Sequence, residues 1–235
     1  MAGSGGSRAH QATVLRSFPG SLIHGDRGLV VACAAFCGYA LLFALVRQNR
    51  SAAADLAITL RLQRRRAPWF SRLMALVSWP GFTPQSLALP LGLSLGFWYA
   101  GRPIEAIFQC CAWGTTFLAT ISKARMRRPR PIAPLVRVVQ ARLGGSSFPS
   151  GHVLSYVGIY GYLAYSLGLI IRPVWLRRAI VAALCGLLAL IGPSRIYQGH
   201  HWPTDVLASY LLGLSYLIGL TALYRRALAR WERTR

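Results

Sequence analysis

The chain has 235 residues, 54% of them apolar, and carries a formal net charge of +22 from 27 basic and five acidic side chains. An apolar fraction this high, with the charges gathered between apolar runs, excludes an ordinary soluble domain and defines an integral membrane protein. The positive excess does not imply nucleic acid: the arginines lie in connecting segments beside anionic lipid headgroups, not on one solvated face.

Residues 1–27 are rich in Gly and Ser and lack periodicity, which predicts a poorly ordered tail. Residues 28–46 are 19 uncharged residues, long enough to span a bilayer. Ala52-Ala53-Ala54 could mimic the cleavage site of a signal peptide, but the run is long for a signal-peptide core and Arg47 and Arg50 follow it, so a retained first span is expected. Residues 51–72 mix Leu56, Ile58, Leu60, Trp69 and Phe70 with Arg61, Arg64, Arg65, Arg66 and Arg72, the composition of an amphipathic interfacial helix. Further spans are predicted at 82–100, 103–122, 150–171, 174–192 and 206–224, with a basic tail at 225–235. The fifth is the shortest: Arg177 and Arg178 leave 14 uncharged residues, ~21 Å of helix, so these side chains snorkel or the helix starts within the interface. The predicted fold is all-α, a polytopic bundle of six transmembrane helices with an interfacial helix. The five cysteines fall inside spans without ligand spacing and read as small buried apolar residues.

Residues 194–205, Ser-Arg-Ile-Tyr-Gln-Gly-His-His-Trp-Pro-Thr-Asp, join the last two spans and hold a guanidinium, two imidazoles and a carboxylate. Ionisable groups so close to bilayer depth are functional candidates. His201 and Asp205 stand four apart, and Pro203 suits the first position of a helix. A carboxylate reaching back to one ring nitrogen would fix the His201 tautomer and free the other nitrogen as nucleophile or base. Arg195 adds a planar fork for phosphate oxygens. Earlier in the chain, Phe148-Pro149-Ser150-Gly151-His152 opens an apolar run and would point backbone N–H groups and a hydroxyl at an anion. The stretch from Lys123 through Arg130 and Pro131 closes the run before it.

Taken in order, these read K-x6-R-P, P-S-G-H and S-R-x5-H-x3-D. The pattern resembles the type 2 phosphatidic acid phosphatase family, whose site is shared with bacterial acid phosphatases and vanadate haloperoxidases, and it covers 83 residues from Lys123 to Asp205. The resemblance implies a cradle of Lys123, Arg130, Arg195, Ser150 and the backbone at Gly151. It implies His201 as nucleophile forming a phosphohistidine, Asp205 as its orienting partner, and His152 as acid and then base. It implies neither metal nor cofactor, and a substrate that is a membrane lipid phosphate or pyrophosphate such as undecaprenyl pyrophosphate, phosphatidylglycerol phosphate or phosphatidate. A lipid phosphotransferase, or a non-catalytic lipid-phosphate binding or transport protein, would use the same cradle.

Six antiparallel spans bring every candidate residue to one membrane face, because the end of an odd span and the start of the next even one lie together. Without Lys123, Arg130 and Arg195, basic residues divide 12 against 12 between the faces, so charge bias does not orient the chain. The resemblance implies a bacterial cytoplasmic membrane with the site outside. His200, five residues before Asp205, is expected to be a bystander, and Arg125, Arg127 and Arg128 to meet headgroups. Asp26 and Asp55 have no partner identifiable from sequence, and Trp79, Trp98, Trp113 and Trp202 read as interface anchors.

Overall fold

The computed structural model describes residues 25–139 and 144–233. They form α1 (Gly25–Arg47), α2 (Ala52–Gln63), α3 (Pro68–Ser78), a 3-10 turn (Trp79–Gly81), α4 (Gln85–Tyr99), α5 (Pro103–Cys111), α6 (Gly114–Met126), α7 (Gly151–Ile170), α8 (Val174–Tyr197) and α9 (Pro203–Arg233), with no strand among the described residues. Residues 1–24 of the expected tail lie outside the described residues.

Five stretches are long and apolar enough to cross a membrane: α1, α5 with α6, α7, α8 and α9. The other expected span is α4, whose 15 residues give about 22 Å, short of a ~30 Å hydrocarbon core. It packs against α5. The fifth expected span proves longer than its uncharged run. α8 starts before Arg177 and continues through Pro193 to Tyr197, 24 residues in all, or about 36 Å. Beside the proline, the Tyr210 hydroxyl donates to the Leu188 carbonyl and accepts from Gly192 N. α9 likewise runs on to Arg233, so most of the expected basic tail is helix.

The centre of the bundle is α7, apolar on almost every face and buried on almost every face, as such a helix must be. It packs against α6, α8 and α9, while α1 lies along α9. Tyr156, Ile159, Tyr162, Ile191, Val206 and Tyr224 belong to the core they share. The third span is broken between α5 and α6, where the Tyr216 hydroxyl takes the Cys111 carbonyl at 2.6 Å. Gly158 lets α7 approach this break, since a Cβ there would collide with the Ala112 carbonyl. All five cysteines are free and lie on the outside of the bundle, not within it; in lipid the outer surface is as apolar as the core, so an apolar side chain has no reason to turn inward.

Residues 51–72 are not one helix. Pro68 starts α3, and the arginine-rich link separates it from α2. The expected amphipathicity of α2 is inverted: Asp55, Thr59 and Gln63, spaced by four, face the protein, while Ile58 and Leu60 are exposed. The cause is hydrogen bonding. Gln63 Nε2 donates to the carbonyls of Arg137 and Tyr197 (2.8 and 3.0 Å), and its Oε1 accepts from Arg137 N (2.9 Å).

Candidate active site

One end of the bundle collects the C-termini of α6 and α8, the N-termini of α7 and α9, and the loops between them. Lys123 lies in the last turn of α6, Ser150 caps α7, Arg195 lies in the last turn of α8, and His201 stands just ahead of α9.

His201 is buried, and its Nδ1 lies 2.7 Å from the Ser147 carbonyl oxygen. A carbonyl can only accept, so Nδ1 carries the proton and Nε2 keeps its lone pair. Arg130 Nη1 approaches that Nε2 at 3.3 Å and donates to the His200 carbonyl at 2.8 Å. Burial, then the fields of Arg195, Arg130 and Lys123, hold the His201 ring well below the ordinary histidine range. The imidazole is therefore neutral at physiological pH, the form a nucleophile requires.

Asp205 does not reach the ring as the four-residue spacing implied. Its Oδ2 is 3.7 Å from Nδ1 and accepts from Trp202 N at 2.8 Å instead. The helix begins at Pro203, so His201 lies outside the helical geometry that would have brought the two side chains together. The tautomer is fixed by a backbone carbonyl, with the carboxylate behind it. Two other expectations also change. Asp55 has a partner, Arg128, at 2.6 Å, and Arg128 turns inward to bind Asp55 and Asp205, away from headgroups.

Arg195 is 1% exposed. Its Nη1 donates to Ser78 Oγ (3.1 Å) and Gln198 Oε1 (3.2 Å), its guanidinium lies 5.1 Å from the Phe82 ring centre, and its Nε has no partner. Ser150 Oγ and His152 Nε2 are also buried, and like that Nε they have no partner among the described residues. Ser150 makes no side-chain cap, and the first intrahelical bond of α7 is Leu154 N to Ser150 O, so the N–H groups of Gly151, His152 and Val153 precede the ladder. Lys123 Nζ would be 3.4 Å from a Cβ on Gly151. Buried polar atoms normally have partners; here a set of donors is left free beside a helix N-terminus, which suits a phosphoryl group.

Two contributors carry no sequence signal. Phe82 packs edge-on to His152, ring centres 4.8 Å apart, and beneath Arg195. Gly81 lies so close that a Cβ would run into the His152 ring. Gly81→Ala therefore displaces His152 and lowers kcat about 10²-fold, the scale of a misplaced catalytic group; steady-state phosphate release measures it.

His200 is buried, and neither ring nitrogen has a hydrogen-bond partner among the described residues. Burial and the neighbouring Arg195 lower its pKa to about 3 from 6.5. The unfolded chain takes up this proton near pH 6.5 and the folded chain does not, so stability is full above that pH and declines towards pH 3. In detergent, the melting temperature falls between pH 7 and pH 5, and His200→Leu makes that fall smaller.

Lys123, Arg130 and Arg195, none with a carboxylate partner among the described residues, thus stand with two imidazoles at one end of a helical membrane bundle, a setting that suits an anion. Among the described residues no cluster of three or more His, Cys, Asp or Glu side chains could hold a metal ion. Residues 106–229 match the PAP2 superfamily. Phosphatidylglycerophosphatase B of Bacillus subtilis (strain 168) is 30% identical over 182 residues, 76% of this chain and 87% of that protein. Lipid phosphate phosphatase delta of Arabidopsis thaliana is 29% identical over 157 residues, 63% of this chain and 36% of that one. The crystal structure of a transmembrane PAP2-type phosphatidylglycerolphosphate phosphatase from Bacillus subtilis superposes with a TM-score of 0.72 at 25% identity, over 83% of this chain and 96% of that one. Aquifex aeolicus LpxE shares the fold, with a TM-score of 0.56 at 24% identity over 72% and 93% of the two chains. The chain belongs to the PAP2 superfamily. It is an integral membrane lipid phosphatase of that family.

Proposed function

We propose that the protein hydrolyses a lipid phosphomonoester, with phosphatidylglycerophosphate the first candidate, through a phosphohistidine on His201. The observation that carries the mechanism is the fixed tautomer of His201, whose Nε2 lone pair faces the Arg130 fork. Likeness to a phosphatidylglycerophosphatase over most of both chains supports the substrate. Lys123, Arg130, Arg195, Ser150 Oγ and the N–H groups at Gly151 would spread positive charge over the phosphoryl oxygens. Nε2 would attack phosphorus as the ester oxygen leaves with a proton from His152. His152 would then take a proton from water, which attacks phosphorus, breaks the P–N bond and releases phosphate.

A cleft of about 420 Å³ opens beside Lys123 and His152, between Leu87 of α4, Trp113 and Ala119 at α6, and Ser155 of α7. Its apolar walls suit the start of a lipid tail. The site is assigned to the outer face of a bacterial cytoplasmic membrane by analogy with the family. Purified protein is to be tested for phosphate release from phosphatidylglycerophosphate, phosphatidate and undecaprenyl pyrophosphate, with His201→Ala as blank. Turnover is expected to be fastest on the first, to be inhibited by vanadate and to survive EDTA. A preference for another lipid would overturn the substrate, and loss of activity in EDTA would overturn the metal-free chemistry.

A further inference from the structure

Asp205 is completely buried; its Oδ2 accepts from Trp202 N, and its Oδ1 is held by Arg128. Arg128 Nη1 donates to Asp205 Oδ1 at 2.6 Å and to Thr204 Oγ1 at 2.8 Å. Its Nη2 donates to Asp55 Oδ2 at 2.6 Å and to Ser51 Oγ at 3.3 Å. Asp55 in turn accepts from Thr204 N at 2.9 Å and from Thr204 Oγ1 at 2.8 Å. The Trp202 ring covers the guanidinium, 5.8 Å from its centre. Two carboxylates thus share one cation, with side-chain exposures of 1% for Asp55, 0% for Asp205 and 10% for Arg128. Burying three charges is costly, and an apolar packing of similar volume would often be at least as stable. Stability alone therefore does not account for the arrangement, whereas its geometry does something specific: each edge of the Arg128 fork holds one carboxylate, and one of them stands behind the nucleophile.

We propose that Arg128 and Asp55 are positioning residues for catalysis. Asp55, on the inward stripe of α2, sets the plane of the Arg128 guanidinium, and Arg128 stations the Asp205 carboxylate where it faces His201 Nδ1. When Nε2 bonds to phosphorus with Nδ1 still protonated, the ring becomes cationic, and the stationed carboxylate stabilises it. The other contact to the proton of Nδ1, the Ser147 carbonyl, is neutral, so among the described residues the full negative charge at this edge of the ring comes from the carboxylate. The inference rests on the phosphatase reading above. It gives the Asp55 end of α2 a role as a brace for the nucleophile, beside the hydrogen bonds that Gln63 makes at the other end of the same stripe.

The test uses the full-length protein in detergent and the lipid phosphate that the wild type hydrolyses. Arg128→Gln is expected to lower kcat about 30- to 100-fold while KM stays within about threefold, because the substrate cradle is untouched. Arg128→Lys recovers little, since one ammonium cannot bridge both carboxylates. Asp55→Asn, close in shape, lowers kcat about tenfold, and the double variant is no slower than Arg128→Gln alone. Should Arg128→Gln fail to fold, Asp55→Asn carries the test, with a cooperative melt confirming its fold. A kcat within threefold of wild type, a rise in KM at constant kcat, or additive losses in the double variant would each overturn the proposal. A folded wild type inert on every lipid phosphate would overturn the phosphatase reading, and this inference with it.

Discussion

His201→Ala is expected to reduce phosphate release by about 10⁴-fold or more, the scale on which loss of a nucleophile is felt. Among the described residues, neither of the other two imidazoles is placed to replace it. His200 is adjacent in sequence, but its ring lies within about 6.5 Å of Phe82, and both its nitrogens are buried and unpartnered. His152 opens α7 and packs against Phe82 and Gly81. Among the described histidines, only His201 combines a carbonyl at Nδ1 with an Arg130 nitrogen at Nε2. The loss should fall on kcat, with vanadate still inhibiting the residual activity, because the cradle survives the substitution. Wild-type turnover in His201→Ala would remove the nucleophile from the mechanism.

The second large effect is expected at Arg195, where even lysine fails. Arg195→Lys should lower kcat/KM by at least about 10²-fold, comparable to the loss of a donor that stabilises developing negative charge. One guanidinium nitrogen is tied to Ser78 and Gln198, which leaves Nε for the ligand, and the plane rests on Phe82. An ammonium is a single point of charge and cannot serve the anchor and the pocket together. Ser78 is itself locked, sharing a 2.7 Å hydrogen bond with Ser194. Because the side chain is buried in a preformed setting, the defect should persist at saturating substrate. Rescue by lysine would mean that charge alone matters at this position.

The gathering of the candidate residues at one end of the bundle is legible in the sequence because they sit at helix ends, where short motifs with fixed spacing survive. Apolar runs set the order of the spans, and alternation of direction brings Lys123, Arg130, Ser150, Arg195 and His201 to one end without any three-dimensional knowledge. What could not be read has physical causes. The hydrogen bond that fixes His201 comes from a backbone carbonyl, and every residue has one. Arg128 and Asp55 are 73 residues apart, and one buried arginine looks like any other in an arginine-rich connector. Gly81 and Phe82 matter through close approach, which leaves no pattern. The inverted face of α2 misleads because amphipathicity is ordinarily read with its polar side outward. Helix ends are likewise set by tertiary partners: Tyr210 supports α8 beside Pro193, and α9 runs past the last apolar turn.

The most direct measurement is a rapid acid-free quench of the purified protein during turnover of a lipid carrying a radiolabelled phosphate, followed by peptide mapping. The expected result is a label that is stable in alkali and labile in acid, located on His201, formed at the rate of turnover and absent from His201→Ala. A label on another residue, or full turnover with no protein-bound phosphate at any quench time, would contradict a phosphohistidine at this site.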